Sequence, residues 1–180
     1  MDFNNHSFID NVRWQEVFEK TFTDWYEGLY GYAFSMLKDQ DTAAEVVQNV
    51  FCKIWEKRDG LYVHTSARAY LYGAVYHECI NWMRQEKKSK DYRKQVLQGG
   101  QRTEGTPASG KVEMDELEKK IQQAMDMLPE QCRAIFLLSR FGNLKYREIA
   151  EQLGIAVKTV EAQVSKALKF LRQELTGFIE

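Results

Sequence analysis

The sequence has few residues that interrupt helices, because only two of its 180 residues are prolines. A proline inside a helix removes a hydrogen bond and clashes with the preceding turn, so this scarcity favours long, unbroken helices. With 44% hydrophobic and 28% charged residues, the composition is otherwise that of an ordinary globular protein. We therefore predict an all-α fold.

The sequence also lacks any apolar run that approaches the length of a membrane span, and no apolar segment follows a basic start. We predict a cytoplasmic protein with no direct membrane insertion. Its three cysteines, Cys52, Cys79 and Cys132, are odd in number and widely spaced. This spacing indicates neither a disulfide framework nor a metal site, so we expect core thiols in a reducing compartment.

Signals of catalysis are missing as well. The sequence contains no phosphate-binding glycine loop, no nucleophile paired with a base and no cluster of metal ligands. An enzyme that uses Glu45, His77 or Cys79 is therefore the weakest hypothesis. We predict no catalytic residues, no metal and no cofactor.

The formal net charge of -1 gives no overall basic excess, which argues against tight binding to DNA by the chain alone. The distribution of charge is uneven, however. Acids outnumber bases before Gly60, whereas Arg84, Lys87, Lys88 and further bases crowd the middle of the chain. Such a run is either a solvated helix end or a surface that attracts phosphate.

Three apolar patterns at helical spacing precede residue 90. The first runs from Trp14 to Met36, and the second from Ala43 to Ile54 after a cap at Asp41. The third starts at a Thr65 or Ser66 cap and runs to about Lys88. We predict that these helices form one compact domain over 10–90.

Apolar periodicity disappears over 91–113, where glycines, a proline and small polar residues predominate. This composition is typical of a flexible linker. Helical patterns return over 114–177. The chain is therefore predicted to form two small helical domains joined by the linker.

The second domain contains a pattern typical of a helix-turn-helix, from Tyr146 to Leu171. Ile149 and Ala150 can pack on Val160 of the next helix, and Gly154 can adopt the positive φ of the turn. An ordinary helical hairpin is the alternative. The pattern leaves a set of mostly polar side chains pointing outward as candidates for the major groove: Lys158, Thr159, Glu161, Ala162, Ser165 and Lys166.

These residues carry a resemblance to a known family. The runs 128–133, 146–151 and 159–161 resemble the domain of extracytoplasmic-function (ECF) sigma factors that binds the promoter minus-thirty-five element. Response-regulator helix-turn-helix proteins share part of this pattern. The first domain distinguishes the two families, since one set of residues there resembles the core-binding segment of sigma region two: Asp41, Ala43, Glu45, Val47, Gln48, Val50, Phe51 and Trp55.

The resemblance implies a sigma factor that directs core RNA polymerase to specific promoters and opens the DNA. It implies three surfaces. The polymerase-binding residues are Asp41, Glu45, Gln48, Asn49 and Lys53, while Phe51 and Trp55 hold the helix to its own core. The minus-ten DNA-binding residues are Arg58, His64, Tyr70, His77, Asn81, Arg84, Lys87 and Lys88. The minus-thirty-five residues are Arg147 and the outward set of the last helix, Lys158, Thr159, Glu161, Ala162, Ser165 and Lys166.

The implied partners are core RNA polymerase, promoter DNA and an anti-sigma factor. A conventional helix-turn-helix regulator with an N-terminal sensing or dimerisation domain is the alternative. The sequence departs from the family pattern at Ala156, where a capping Ser is common, and at Lys145, which replaces another frequent Ser. We expect the lost cap at Ala156 to cost about 1 kcal/mol.

Overall fold

The computed structural model describes residues 11–58, 63–96 and 116–176, and these ranges contain seven helices and no strand. The prediction of an all-α fold is confirmed. The glycine-rich part of the predicted linker lies outside the described residues. No helix in the described ranges is both long and apolar enough to cross a membrane.

The first helical unit consists of α1 (Asn11–Leu37), α2 (Gln40–Glu56) and α3 (Ala67–Val96). These helices pack on one another through apolar side chains such as Leu29 and Val47, both fully buried. Ser66 caps α3, since its hydroxyl oxygen accepts a hydrogen bond from the backbone N–H of Ala69 at 3.2 Å. The cap is one of the two that the sequence indicated.

The second helical unit consists of α4 (Glu116–Asp126), α5 (Glu130–Arg140), α6 (Tyr146–Leu153) and α7 (Val157–Glu174). Gly154 ends α6 in the left-handed conformation with φ 63°, as the helix-turn-helix pattern requires. The inner faces of α6 and α7 are buried at Ile149, Val160 and Val164.

Two predicted helix boundaries are wrong. Asp39, and not Asp41, caps α2, because the Asp39 carboxylate accepts from Thr42 N at 2.8 Å and from Thr42 Oγ1 at 2.5 Å. Helix α3 continues past Lys88 to Val96 and so includes the first residues of the range predicted as a linker. Charged side chains can extend a solvated helix without any apolar pattern to mark it.

The burial of two side chains also differs from expectation. Cys79 and Cys132 are buried, but Cys52 is exposed on α2. Phe51 belongs to the core, whereas Trp55 is 36% exposed and packs edge-on against Phe18 with ring centroids 5.0 Å apart. Both Cys52 and Trp55 lie at the edge of the buried face of α2, where a periodic pattern alone does not separate inside from outside.

The two units pack against each other. Helix α3 lies on α6, α1 lies on α5, and the buried residues of both units form one continuous cluster. The sequence predicted two separate domains but gave no indication of this contact.

Candidate polymerase-binding and DNA-binding surfaces

The residues predicted to bind polymerase share one face of α2. Spacings of three and four residues place Asp41, Glu45, Gln48 and Asn49 side by side, and all of them are exposed. The opposite face is anchored in the core by Val47 and other apolar residues. The structure thus presents a rigid, solvent-facing row of carboxylates and amides.

Lys53 extends this row but has a partner already. Its Nζ lies 2.5 Å from Oε1 of Glu78 on α3, and both side chains are partly exposed. A partner that bound Lys53 would have to break this ion pair, although such exposed pairs contribute little to stability. Sequence reasoning missed Glu78, because the pair joins residues that are distant along the chain.

An apolar groove of about 470 Å³ adjoins the polar row of α2. Side chains of α1 and α2 line it together: Phe18, Phe22, Gln48, Phe51, Cys52, Trp55 and Glu56. Sequence reasoning assigned the aromatic residues of this set to the core. Phe22 and Trp55 are each 36% exposed instead, so the α2 face combines polar groups with accessible aromatic area.

The residues predicted to bind the minus-ten element do not form one open surface. Asn81, Arg84, Lys87 and Lys88 are exposed along the carboxyl-terminal half of α3. The amino-terminal half faces the second helical unit, where Nε2 of His77 lies 3.1 Å from the backbone oxygen of Gln152 on α6. This α3 surface is therefore open at its basic end, and at its other end His77 is exposed but in contact with α6.

Tyr70, His64 and Arg58 complete this predicted set. Tyr70 is half-buried, and its partial burial raises the pKa of its hydroxyl, so the ring is a neutral stacking surface near pH 7. His64 is exposed in the segment that precedes α3. The guanidinium of Arg58 lies 5.3 Å from the ring centre of Trp55, at the far end of α2.

The predicted minus-thirty-five residues lie on α6 and α7. Arg147, Lys158, Glu161 and Lys166 are exposed, and Thr159 is half-buried. Ala162 and Ser165 are exposed beside them. The helix-turn-helix thus offers a mixed polar face of the size that fits a major groove. Ala156 precedes α7 and supplies no side-chain hydrogen bond, as expected from the missing Ser.

The start of α6 is capped by a different arrangement. The backbone N–H of Lys145 donates to Oε2 of Glu148 at 2.9 Å, which is the half of a capping box that does not need a Ser at position 145. Partial burial acts to raise the pKa of Glu148, but hydrogen bonds from Ser66 and the Lys145 backbone outweigh it, with help from the charges of Lys145 and Arg68. The pKa of Glu148 is therefore held below its usual value.

Comparison with known proteins matches both helical units to models of one family. The family model "Sigma-70 region 2" matches residues 21–89, and the model "Sigma-70, region 4" matches residues 118–171. The two models occur in the order predicted from the motifs, and together they include α2, α3 and the helix-turn-helix. The chain belongs to the sigma-70 family. The region 2 match decides against a sensing or dimerisation domain in front of the helix-turn-helix.

Relatives place this sigma-70 protein in the ECF group. It is 28% identical over 154 residues to RNA polymerase sigma factor SigV of Bacillus subtilis (strain 168), covering 86% of this chain and 88% of that protein. It is 25% identical over 172 residues to ECF RNA polymerase sigma factor SigW of the same organism, covering 89% of this chain and 90% of SigW.

A solved structure has the same fold. The sigma factor RpoE from Bartonella quintana, in a co-crystal with the anti-sigma factor NepR, superposes with a TM-score of 0.71 at 21% identity. The match covers 89% of this chain and 98% of that one. In the part of the sigma-70 chain that the structure describes, no group of three or more His, Cys, Asp or Glu side chains could hold a metal ion.

Proposed function

We propose that this chain directs core RNA polymerase to specific promoters and initiates transcription there by recognising and opening the DNA. The supporting observation is the succession of regions 2 and 4 in one chain, with an exposed polar face on α2 and an exposed recognition helix α7. The protein acts in the cytoplasm and has no catalytic role of its own. Its units are those predicted from the sequence, 10–90 and 114–177 joined by 91–113, with α3 of the first unit running on to Val96.

Three surfaces divide this work. The α2 row of Asp41, Glu45, Gln48, Asn49 and Lys53 binds polymerase. The α3 residues and the segment before them bind the opened minus-ten element: Arg58, His64, Tyr70, His77, Asn81, Arg84, Lys87 and Lys88. Unpaired bases stack on aromatic rings while cations hold the backbone, which suits the mixed aromatic and basic character of α3. Arg147 and the outward face of α7 bind the minus-thirty-five element.

We infer that the free protein binds promoter DNA weakly, because its net charge is -1 and each DNA-binding surface is small. Core polymerase links the two surfaces and raises their effective concentration. Run-off transcription on genomic fragments with core polymerase tests this directly. Specific transcripts that need both proteins support the proposal, and strong specific binding by the chain alone contradicts it.

An anti-sigma factor is a further proposed partner, by analogy with the complex of RpoE and NepR. The apolar groove beside the polar row of α2 offers area for such a contact. Co-purification from the native organism, with and without the inducing stress, would reveal a bound regulator.

The polymerase-binding surface is tested by Glu45→Arg. A reversed charge at the centre of the α2 row should weaken binding to core polymerase about tenfold, which corresponds to a loss of 1.4 kcal/mol. Glu174→Arg is a matched control, because Glu174 is also an exposed helical glutamate but lies at the end of α7. Equal affinities of the two variants, measured by fluorescence anisotropy, would refute the assignment.

A further inference from the structure

Glu78 is an acidic residue among the α3 residues proposed to bind the opened minus-ten strand. It follows His77 directly and lies three residues before Asn81, so helical spacing places it beside Asn81 on α3. Its side chain is 24% exposed. Because a carboxylate repels the phosphates of a DNA strand, Glu78 weakens this surface unless it binds a specific group there.

The other acids in this part of α3 are placed differently. Oε1 of Glu86 lies 2.7 Å from Nζ of Lys90, one turn along the same helix. Asp91 lies beyond Lys88, the last residue of the proposed minus-ten set. Glu78 differs from both because it lies within that set and because its cation comes from another helix.

The ion pair of Glu78 joins the two proposed surfaces of the first unit. Lys53 on α2 donates from Nζ to Oε1 of Glu78 at 2.5 Å. Lys53 lies four residues after Asn49 and so extends the polar row of α2. Its side chain is 54% exposed and is therefore accessible to a binding partner. A single pair thus connects the polymerase row with the minus-ten surface.

The state of this pair determines what the Glu78 carboxylate can bind. While Lys53 is in place, its ammonium group compensates the negative charge and occupies Oε1. When polymerase binds Lys53, the carboxylate becomes a free acceptor at the DNA surface. In an opened duplex the pairing edges of the bases are exposed, and adenine, cytosine and guanine each carry an exocyclic amino group that donates hydrogen bonds. Thymine carries none.

We propose that Glu78 accepts a hydrogen bond from a base amino group of the opened minus-ten strand, and that Lys53 blocks this contact until polymerase binds α2. This inference rests on the proposed function, because it takes α2 as the polymerase surface and α3 as the minus-ten surface. An exposed ion pair contributes little to stability, so a partner can displace Lys53 at low cost. Polymerase binding therefore precedes recognition of this base.

The base contact is tested with the holoenzyme, assembled from core polymerase and the full chain. The probes are fluorescent single strands that carry the minus-ten sequence of a promoter mapped by run-off transcription, with each adenine, cytosine or guanine in turn replaced by thymine. At one position, thymine should raise the Kd of the unmodified holoenzyme about tenfold. Glu78→Ala should abolish this penalty. Glu86→Ala is the matched control, because it removes another α3 glutamate that is paired with a lysine.

Glu78→Gln distinguishes a contact with the base from a structural role. Glutamine keeps an acceptor oxygen at the same place but carries no charge, so this variant should retain part of the thymine penalty. Loss of the ion pair alone is identical in both Glu78 variants and predicts identical base preferences for them. Circular dichroism melts of the variants confirm that each protein is folded at the temperature of the binding assay.

The blocking role of Lys53 is measured without polymerase. Lys53→Met removes the ammonium group and keeps an apolar side chain of similar length. For the free protein, the thymine penalty should be about threefold larger with Lys53→Met than with the unmodified chain, which is the scale of an exposed ion pair. Lys57→Met is the control, since Lys57 is an exposed lysine one turn further along α2. Each protein is described by the ratio of its affinities for two strands, so the change in net charge cancels.

The outcomes separate the steps. A thymine penalty that Glu78→Ala leaves intact, or no penalty at any position, overturns the base contact. Equal penalties for the free Lys53→Met and unmodified proteins overturn the blocking role of Lys53. If the unmodified chain and core polymerase give no transcript from any genomic fragment, the proposed function fails, and this inference fails with it. Transcripts accompanied by an unchanged base preference of Glu78→Ala overturn the inference alone.

Discussion

Single residues determine how each helix of this protein begins. Gly154 provides the left-handed turn between α6 and α7, but Ala156, two residues later, leaves the first N–H groups of α7 without a side-chain acceptor. At the start of α6, Glu148 accepts a hydrogen bond from the backbone N–H of Lys145. The helix that is proposed to read DNA therefore begins without a side-chain cap.

The missing cap of α7 leads to a stability prediction. Ala156→Ser should raise the free energy of unfolding by about 1 kcal/mol, because the hydroxyl can accept from an N–H of the first turn. Ala162→Ser is the control, since it introduces the same side chain at an exposed position inside α7, where serine is slightly unfavourable. Urea unfolding followed by circular dichroism should show opposite signs for the two substitutions, and equal signs would contradict the capping argument.

A second prediction at this scale concerns Asp39. Hydrogen bonds from the Thr42 side chain and backbone lower the pKa of Asp39 below its usual value. A lowered pKa in the folded protein means that the stabilising contribution is complete above the unfolded pKa and disappears as the pH falls through the folded value. Asp39→Ala should therefore lower the melting temperature at pH 7 and have less effect in strong acid.

Asp39→Asn separates the cap from the charge. Asparagine is also a good cap, so this variant should keep most of the stability at pH 7 and show a weaker dependence on pH than the unmodified protein. The measurement is a series of thermal melts of the three proteins between about pH 3 and pH 7, a range that includes the ordinary pKa of a carboxyl group. A melting temperature of Asp39→Ala equal to that of the unmodified chain would contradict the cap assignment.

At the scale of helices, the sequence was informative where one face is buried. Periodic apolar residues predicted α1, α2 and α7 because each buries a continuous stripe, as at Val47 and Val160. The true end of α3 could not be predicted, because the apolar pattern stops near Lys88 and the residues at 89–92 are polar or exposed. The cap of α2 was assigned two residues late, since both Asp39 and Asp41 satisfy the same local preference.

The candidate site was predictable to a similar extent. The exposed row on α2 and the outward face of α7 follow from helical spacing, so their exposure could be foreseen. The groove beside α2 could not be foreseen, because helical spacing fits a buried Phe22 and a partly exposed Phe22 equally well. The contact between Nε2 of His77 and the backbone oxygen of Gln152 joins residues that are 75 positions apart, and local sequence patterns contain no information on such contacts.

At the scale of the whole molecule, the contact between α3 and α6 should depend on pH through Glu148. Hydrogen bonding to Ser66 and the charge of Arg68 on α3 help to lower the pKa of Glu148, and both influences are lost when the units separate. The charged form of Glu148 therefore favours the contact between the units, fully above the ordinary carboxyl pKa of about 4.3. As the pH falls through the lowered value, this contribution disappears and the contact weakens.

Glu148→Gln tests this pH dependence, because glutamine can still cap α6 but carries no charge. We expect the variant to be more open than the unmodified protein at pH 7 and to change less on acidification. Glu151→Gln, an exposed neighbour on α6, is the control. Scattering measured beside circular dichroism distinguishes opening from unfolding, and identical pH profiles for both variants would exclude a role for Glu148.

The backbone conformation of Lys38 affects which substitution a laboratory selection for stability would favour. Lys38 is not a glycine, yet it adopts φ 62°, a conformation that disfavours ordinary side chains by about 1 kcal/mol. Its ammonium group meanwhile reaches Asp126 of the other unit. A selection for heat resistance would therefore favour glycine here, and would at the same time remove the ion pair that joins the end of α1 to the second unit.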